Sequence, residues 1–161
     1  MTYQAVFLGR DGVVIRDRGN IVEPDRVELL PGVGEIIHHI NEQEIPVIVV
    51  YNEPLIGYNI LSRDKLVEIN SRINDLLKED EAEIDMAGWC PHKPSVNCWC
   101  RIPSPGLLYA MATKFYLDLR RCIFIGDTEQ DVQAAKAVRM KWFKVKKGLG
   151  DWEGSENWTP A

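Results

Sequence analysis

Five short apolar runs, each separated from the next by a stretch with helical spacing, constrain this chain more than anything else in it. The expected strands are Gln4 to Leu8, Pro46 to Tyr51, Glu83 to Trp89, Arg121 to Ile125 and Lys141 to Val145. Near-continuous apolar runs such as Val47-Ile48-Val49-Val50 suit a parallel sheet covered on both faces. Between the runs, apolar residues recur at helical intervals. Val33, Ile36, Ile37 and Ile40 follow Pro31, and Leu66, Ile69, Ile73, Leu76 and Leu77 follow a candidate N-cap, Ser62. Leu108, Met111 and Phe115 follow Ser104 and Pro105, and Val132, Ala135 and Val138 form a shorter stripe. This alternation implies a three-layer α/β domain with a Rossmann-like parallel sheet. The 161 residues amount to one domain, expected over residues 1–148 with 149–161 as a C-terminal tail. A chain of this length buries about 70% of its unfolded surface, so its core needs no disulfides.

Two segments break the rhythm. Val13 to Leu30 is a long polar excursion after the first strand and reads as a flap over the sheet edge. Cys90 to Pro105 is a loop rich in Cys and Pro, the expected site of an insertion. The tail from Gly148 is Gly-rich and acidic, carries Trp152 and Trp158, and reads either as an ordered wrap or as a mobile end.

Charge and hydropathy exclude several classes. Lys+Arg 19 against Asp+Glu 24 gives a net charge of -5, which argues against a nucleic-acid binder. Lys136, Arg139, Lys141, Lys144, Lys146 and Lys147 gather around the last strand, where charge discourages edge pairing; a docking patch for an acidic partner is the alternative. The longest apolar stretch, Val47 to Tyr51, falls far short of the ~20 residues that span a bilayer, so no membrane association is expected. The N-terminus lacks the basic start and apolar core of a signal peptide, which makes the cytoplasm the expected compartment, with thiols reduced. His38 and His39 read as surface residues and Cys122 as a small buried hydrophobe.

In an open parallel sheet, ligands sit beyond the carboxyl ends of the strands. There the chain carries Gly9-Arg10-Asp11-Gly12, then Tyr51-Asn52-Glu53, then Arg101-Ile102-Pro103-Ser104-Pro105-Gly106, and last Gly126-Asp127-Thr128-Glu129-Gln130-Asp131. The order and spacing resemble the haloacid dehalogenase superfamily, and within it the zinc-containing branch of heptose-bisphosphate phosphatases and histidinol-phosphatases, over residues 4–148. In that family the first motif, Asp-x-Asp-Gly, supplies a nucleophile and then a general acid/base. The second supplies a Thr or Ser hydroxyl followed by Asn, the third a Lys within Arg-Lys-Pro-x-Pro-Gly, and the fourth a Gly-Asp that holds magnesium. On that pattern the nucleophile position here is Gly9 and the acid/base position is Asp11. Tyr51 stands at the phosphate-binding hydroxyl beside a retained Asn52. Ile102 stands at the lysine, with Arg101, Pro103, Pro105 and Gly106 kept. Asp127, with Asp131 four residues on, is the candidate magnesium ligand.

The departures remove chemistry. Glycine offers no oxygen to attack phosphorus. Asp11 is a poor substitute, because residues i and i+2 on a strand lie about 6–7 Å apart while in-line attack needs ~3–3.5 Å. Ile102 removes the cation that would balance a phosphate dianion, and Tyr51 sets a ring where a small hydroxyl belongs. Magnesium is left with Asp127, helped by Asp131 and the Asp11 carbonyl, too few groups to hold it without substrate oxygens. The alternative reading makes Gly9 a strand-end turn, Tyr51 a core aromatic, and Asp11 and Asp127 turn or cap residues.

Cys90, His92, Cys98 and Cys100 place four soft ligands within one loop as C-x-H and C-x-C pairs, a set that suits structural zinc. The resembling family carries a zinc loop with the same pairs; the alternatives are a reduced metal-free loop or a Cys98/Cys100 redox pair. The expectation is a phosphatase-like protein that is catalytically inactive, a zinc-stabilised domain binding a protein partner or a phosphorylated small molecule. The competing expectations are a weakly active magnesium-dependent sugar-phosphate phosphatase and a purely structural subunit.

Overall fold

Five parallel strands form the centre of the molecule: β1 (Ala5–Leu8), β2 (Val47–Asn52), β3 (Met86–Cys90), β4 (Cys122–Gly126) and β5 (Lys141–Val145). Their order is β3-β2-β1-β4-β5, and a two-residue strand, β6 (Trp152–Glu153), pairs antiparallel with β5. This computed structural model describes residues 2–146 and the backbone of Trp152 and Glu153. Lys147 and the rest of the tail, Trp158 included, lie outside the described residues.

The expected α/β architecture is present, and the strand pleat explains how one sheet serves two cores. Successive residues of a strand point to opposite faces. Val6 and Leu8 of β1 therefore join Val47, Val49 and Tyr51 of β2 in one cluster, with Val33, Ile37 and Ile40 of helix α1 (Val33–Glu42) and Leu66, Ile69, Ile73 and Leu77 of helix α3 (Arg63–Leu77). Ala5 and Phe7 join Ile48 and Val50 on the other face, with helix α4 (Gly106–Phe115) and helix α5 (Glu129–Ala137). A one-turn helix, α2 (Pro54–Gly57), follows β2. Ser62 caps α3 by accepting the Lys65 N–H, as its sequence position implies. Cys122 is fully buried in β4, where burial pushes its thiol up to about 11. Among the described residues no helix is long and apolar enough to cross a membrane.

Two expectations need correction. Strand β3 begins at Met86 and not at Glu83, because Glu83 and Ile84 turn their backbone N–H and C=O groups to the side-chain amides of Asn41 and Asn74. The segment from Val13 to Leu30 is no flap. Val13, Val14 and Ile15 are fully buried and Ile21 and Val27 nearly so, all in the α1/α3 core. Ile15 bridges both Asp11 and Leu29, folding the segment back on the end of β1. Its polar residues mask a short apolar run strong enough to anchor it.

Candidate functional site

Beyond the carboxyl ends of β1, β2 and β4 lies a pocket of about 180 Å3. The four strand-end segments meet there as expected: Gly9, Asp11, Tyr51, Asn52, Ile102 and Asp127 line it, with Asp131, Thr128 and Gln130 from the start of α5. Asp17 also lines it, which nothing in its sequence surroundings signalled. A larger groove of about 540 Å3 lies at the C-terminal ends of α4 and α5, but Asp118, the one carboxylate lining it, is held by Arg120.

Gly9 and Gly12 differ in what they require of the backbone. Gly12 has φ +76, and a Cβ there would stand 2.3 Å from Asp127 Oδ2, so glycine is demanded by torsion and by the closeness of that carboxylate. Gly9 is outside the left-handed region, so its torsion does not call for glycine. A Cβ on it would meet Val13 Cγ2 at 3.1 Å and Asp131 Oδ2 at 3.8 Å, tight on one side and directed at the acidic wall. Torsion therefore gives no reason for glycine at position 9, and the close approach of Val13 is the one structural feature that favours a small residue there.

Tyr51 is 6% exposed and belongs to the α1/α3 core while also bordering the pocket. Its hydroxyl donates to Asn70 Oδ1 of α3 at 3.0 Å. Asn52 acts as a clamp: its Nδ2 donates to the Ile102 carbonyl and its Oδ1 accepts the Ile102 N–H, both at 2.9 Å. Ile102 itself is 3% exposed and packs into the α4/α5 core. Arg101, expected at the phosphate site, is not among the pocket's lining residues; its Nη1 donates to the His92 carbonyl of the cysteine loop at 3.5 Å.

Sequence reasoning passed over Arg10 and Glu53. Leu8 of β1 pairs with Val49 of β2, and extending that register by two sets Arg10 beside Tyr51. The Arg10 guanidinium lies 4.0 Å from the Tyr51 ring centroid and pairs with Asp11 at 3.1 Å and with Glu53 at 3.3 Å. Arg10 and Glu53 are 4% and 3% exposed. Burial alone would lower the Arg10 pKa, but Tyr51, Asp11 and Glu53 outweigh it and hold the cation. Burial raises the Glu53 carboxyl against the pull of Arg10, which two carboxylates share. The usable signal was two opposite charges at the ends of neighbouring parallel strands. Arg10→Met strands a buried carboxylate and is expected to cost about 3–5 kcal/mol in urea unfolding. Arg10→Met with Glu53→Leu should recover most of that loss.

The rest of the pocket is acidic. Asp11, Asp17, Asp127 and Asp131 face one guanidinium already in use. Burial, then the charges of Asp131, Asp17 and Asp11, push Asp127 up to about 6. Burial also raises Asp131, whose Oδ2 accepts the Thr128 N–H while the Thr128 hydroxyl accepts the Asp131 N–H, a reciprocal cap on α5. An unfolded Asp releases its proton near pH ~3.9. Between there and about 6 the native chain holds more protons, so stability falls as pH rises and the penalty is complete above about 6. Asp127→Asn in divalent-free buffer should therefore raise stability at pH 7–8 by about 1 kcal/mol, discounted for partial exposure. Melting curves should show that gain fading as pH drops towards 4.

The cysteine loop brings its four predicted ligands together. Cys90 Sγ lies 3.4 Å from His92 Nδ1, 3.6 Å from Cys98 Sγ and 3.3 Å from Cys100 Sγ, and Cys100 Sγ lies 3.3 Å from His92 Nδ1. All four ligand atoms fall within 4.8 Å of one another. A tetrahedral zinc site with ordinary Zn–S and Zn–N bonds has edges of about 3.5–3.8 Å, so the set is compatible with zinc. Burial pushes the Cys90 thiol up to about 12, and a cation is what would hold it as thiolate. The cluster is tied to the pocket by backbone: the Glu53 N–H donates to the Cys90 carbonyl at 2.8 Å. His38 and His39 stand apart from both sites on α1, where His38 Nδ1 contacts the Glu81 carbonyl.

A family model described as haloacid dehalogenase-like hydrolase matches residues 3–139. The chain is 30% identical over 151 residues to D-glycero-beta-D-manno-heptose-1,7-bisphosphate 7-phosphatase of Pseudomonas aeruginosa, covering 93% of this chain and 85% of that protein. It is 29% identical over 141 residues to the protein of the same name from Helicobacter pylori, covering 87% of this chain and 81% of that one. A crystal structure of D,D-heptose 1,7-bisphosphate phosphatase from B. bronchiseptica, complexed with magnesium and phosphate, superposes with a TM-score of 0.84 at 28% identity, covering 91% of this chain and 83% of that chain.

Proposed function

The chain belongs to the haloacid dehalogenase-like hydrolase family, and we propose that it is a phosphatase-like member without turnover, a zinc-stabilised domain that binds a phosphorylated small molecule or a protein partner. The observation that carries this reading is Gly9: at the end of β1, position 9 offers the pocket no side chain, although the backbone there has no torsional need for glycine. What the chain keeps and what it lacks divide by role. Asn52 clamps the Ile102 backbone, Gly12 admits the Asp127 carboxylate, Asp131 caps α5 and Asp11 pairs with Arg10, so these four have work in the fold, whereas Asp127 is held there at a cost to stability. The three replaced positions, Gly9, Tyr51 and Ile102, are those to which the family resemblance assigns attack on phosphorus or contact with phosphate.

Electrostatics support the same reading. Four carboxylates repel a phosphate dianion, the one guanidinium is already paired with Asp11 and Glu53, and Ile102 brings no compensating charge. Asp127 and Asp131, with one Asp131 oxygen taken by the cap, give magnesium few direct ligands, so the ion would have to arrive with phosphate oxygens. Cys90, His92, Cys98 and Cys100 would hold zinc, whose role is to order residues 91–105. The test is a phosphate-release assay of the zinc-replete full chain with magnesium, on heptose 1,7-bisphosphate and a generic aryl phosphate. The expected rate equals that of buffer. Steady turnover that Asp127→Asn abolishes would overturn the proposal and establish a weak magnesium-dependent phosphatase instead.

A further inference from the structure

We propose that the cysteine loop is an oxidation-sensitive latch on the pocket: peroxide converts Cys90 and Cys100 to a disulfide, the metal site is lost, and the pocket wall carrying Ile102 is released. The inference rests on the zinc reading above and adds a regulation to it.

The arrangement supplies the parts. Cys90 is fully buried, whereas Cys98 and Cys100 are partly exposed on a loop whose intervening Trp99 is 65% exposed. An oxidant in solution therefore meets Cys98 or Cys100 first, and the Cys90 sulfur stands behind them at 3.6 and 3.3 Å. Cys122 is buried in β4, with its thiol donating to the Asp118 carbonyl, so it is no competing partner.

The chemistry balances with a peroxide as the two-electron oxidant. The Cys100 thiolate attacks one peroxide oxygen, the O–O bond breaks, and Cys100 becomes a sulfenic acid as hydroxide leaves. The Cys90 thiolate then attacks the Cys100 sulfur, the S–O bond breaks and the disulfide forms as a second hydroxide leaves. Each hydroxide takes up a proton and leaves as water. Only His92 and Cys98 remain as ligands, half of a tetrahedral set.

Three contacts carry this event to the pocket. The Cys90 carbonyl accepts the Glu53 N–H, the His92 carbonyl accepts from Arg101, and the next residue, Ile102, is gripped on both backbone atoms by Asn52. Freeing residues 91–101 loads the Asn52–Ile102 clamp, which ties the far end of this loop to the end of β2.

The experiment starts from the purified full chain. Zinc content is measured first, and a metal-free protein sinks the zinc reading itself. The zinc-loaded chain, wild type and Cys122→Ala, is then treated with a modest excess of hydrogen peroxide. A chromogenic chelator reports released zinc, intact mass and peptide mapping report the product, and hydrogen exchange reports the Ile102 amide. The expected result is about one zinc released per chain, a mass lower by two hydrogens, a bridge containing Cys90, and at least tenfold faster exchange at Ile102. Thiol reductant with zinc should reverse all four. Zinc retained, or lost while the mass gains oxygen, overturns the inference and leaves the zinc reading standing. Unchanged exchange at Ile102 overturns the link to the pocket.

Discussion

Stripping the proposed zinc from the Cys90–His92–Cys98–Cys100 cluster is expected to lower the midpoint of thermal unfolding by at least about 10 °C. Structural zinc contributes on the order of 10 kcal/mol to the folding of small zinc peptides. A domain with two apolar cores depends on it less, yet a loss of 3–5 kcal/mol already moves the midpoint of a domain this size by about 10 °C. The effect should be large because residues 91–105 bring few apolar side chains to either core. Of that stretch, Ile102 alone is fully buried. Calorimetry of the zinc-loaded chain against the chelated chain reads it, and Cys98→Ser should reproduce most of the loss without chelator. A midpoint that moves by less than about 2 °C in both cases would leave the loop without its metal.

Restoring the missing groups is expected to have the largest effect on activity. The combined variant Gly9→Asp, Tyr51→Thr, Ile102→Lys should release phosphate from a sugar bisphosphate at least about a hundredfold faster than the wild type, the scale of one well-placed electrostatic contact. The structure indicates where the difficulty lies. An aspartate at position 9 must move the Val13 methyl by a few tenths of an ångström. Tyr51→Thr is costlier: it takes the ring from under Arg10 and the donor from Asn70, and leaves a space in the α1/α3 core worth about 3–5 kcal/mol. The lysine replaces a 3% exposed residue and must extend to the acidic wall to keep its charge. Turnover in this variant that vanishes with Asp127→Asn would identify the substrate class the pocket was shaped for. A folded, zinc-loaded triple variant that releases no phosphate would mean the reactive geometry is lost beyond these three positions.

Much of the fold could be read because local pattern and tertiary demand agree along it. The run Val47 to Val50 is buried on both faces, and the Ser62 cap falls where helix-start chemistry puts it, while at α5 the cap is Thr128 and not Asp127. The reading failed where a few apolar residues outweighed many polar ones. Val13, Val14 and Ile15 pull a charged segment into the core, and the charges of Arg16, Arg18 and Glu28 stay at the surface by pairing with each other. At the site, the four strand ends could be placed by topology alone. Orientation could not. Arg101 turns to the cysteine loop, and Tyr51 turns its hydroxyl to Asn70, because each finds a partner on an element whose position only the assembled fold defines. Arg10 and Glu53 escaped notice for a related reason: their meaning is a pairing across 43 positions of sequence.

The ordinary torsion at Gly9 carries a consequence for the history of the chain. Where a residue is forced on a protein by geometry, going back requires rebuilding the loop around it. Here the main chain lies outside the left-handed region that favours glycine, with one methyl group to nudge aside. A side chain at position 9 therefore needs no new backbone, only that small shift of Val13.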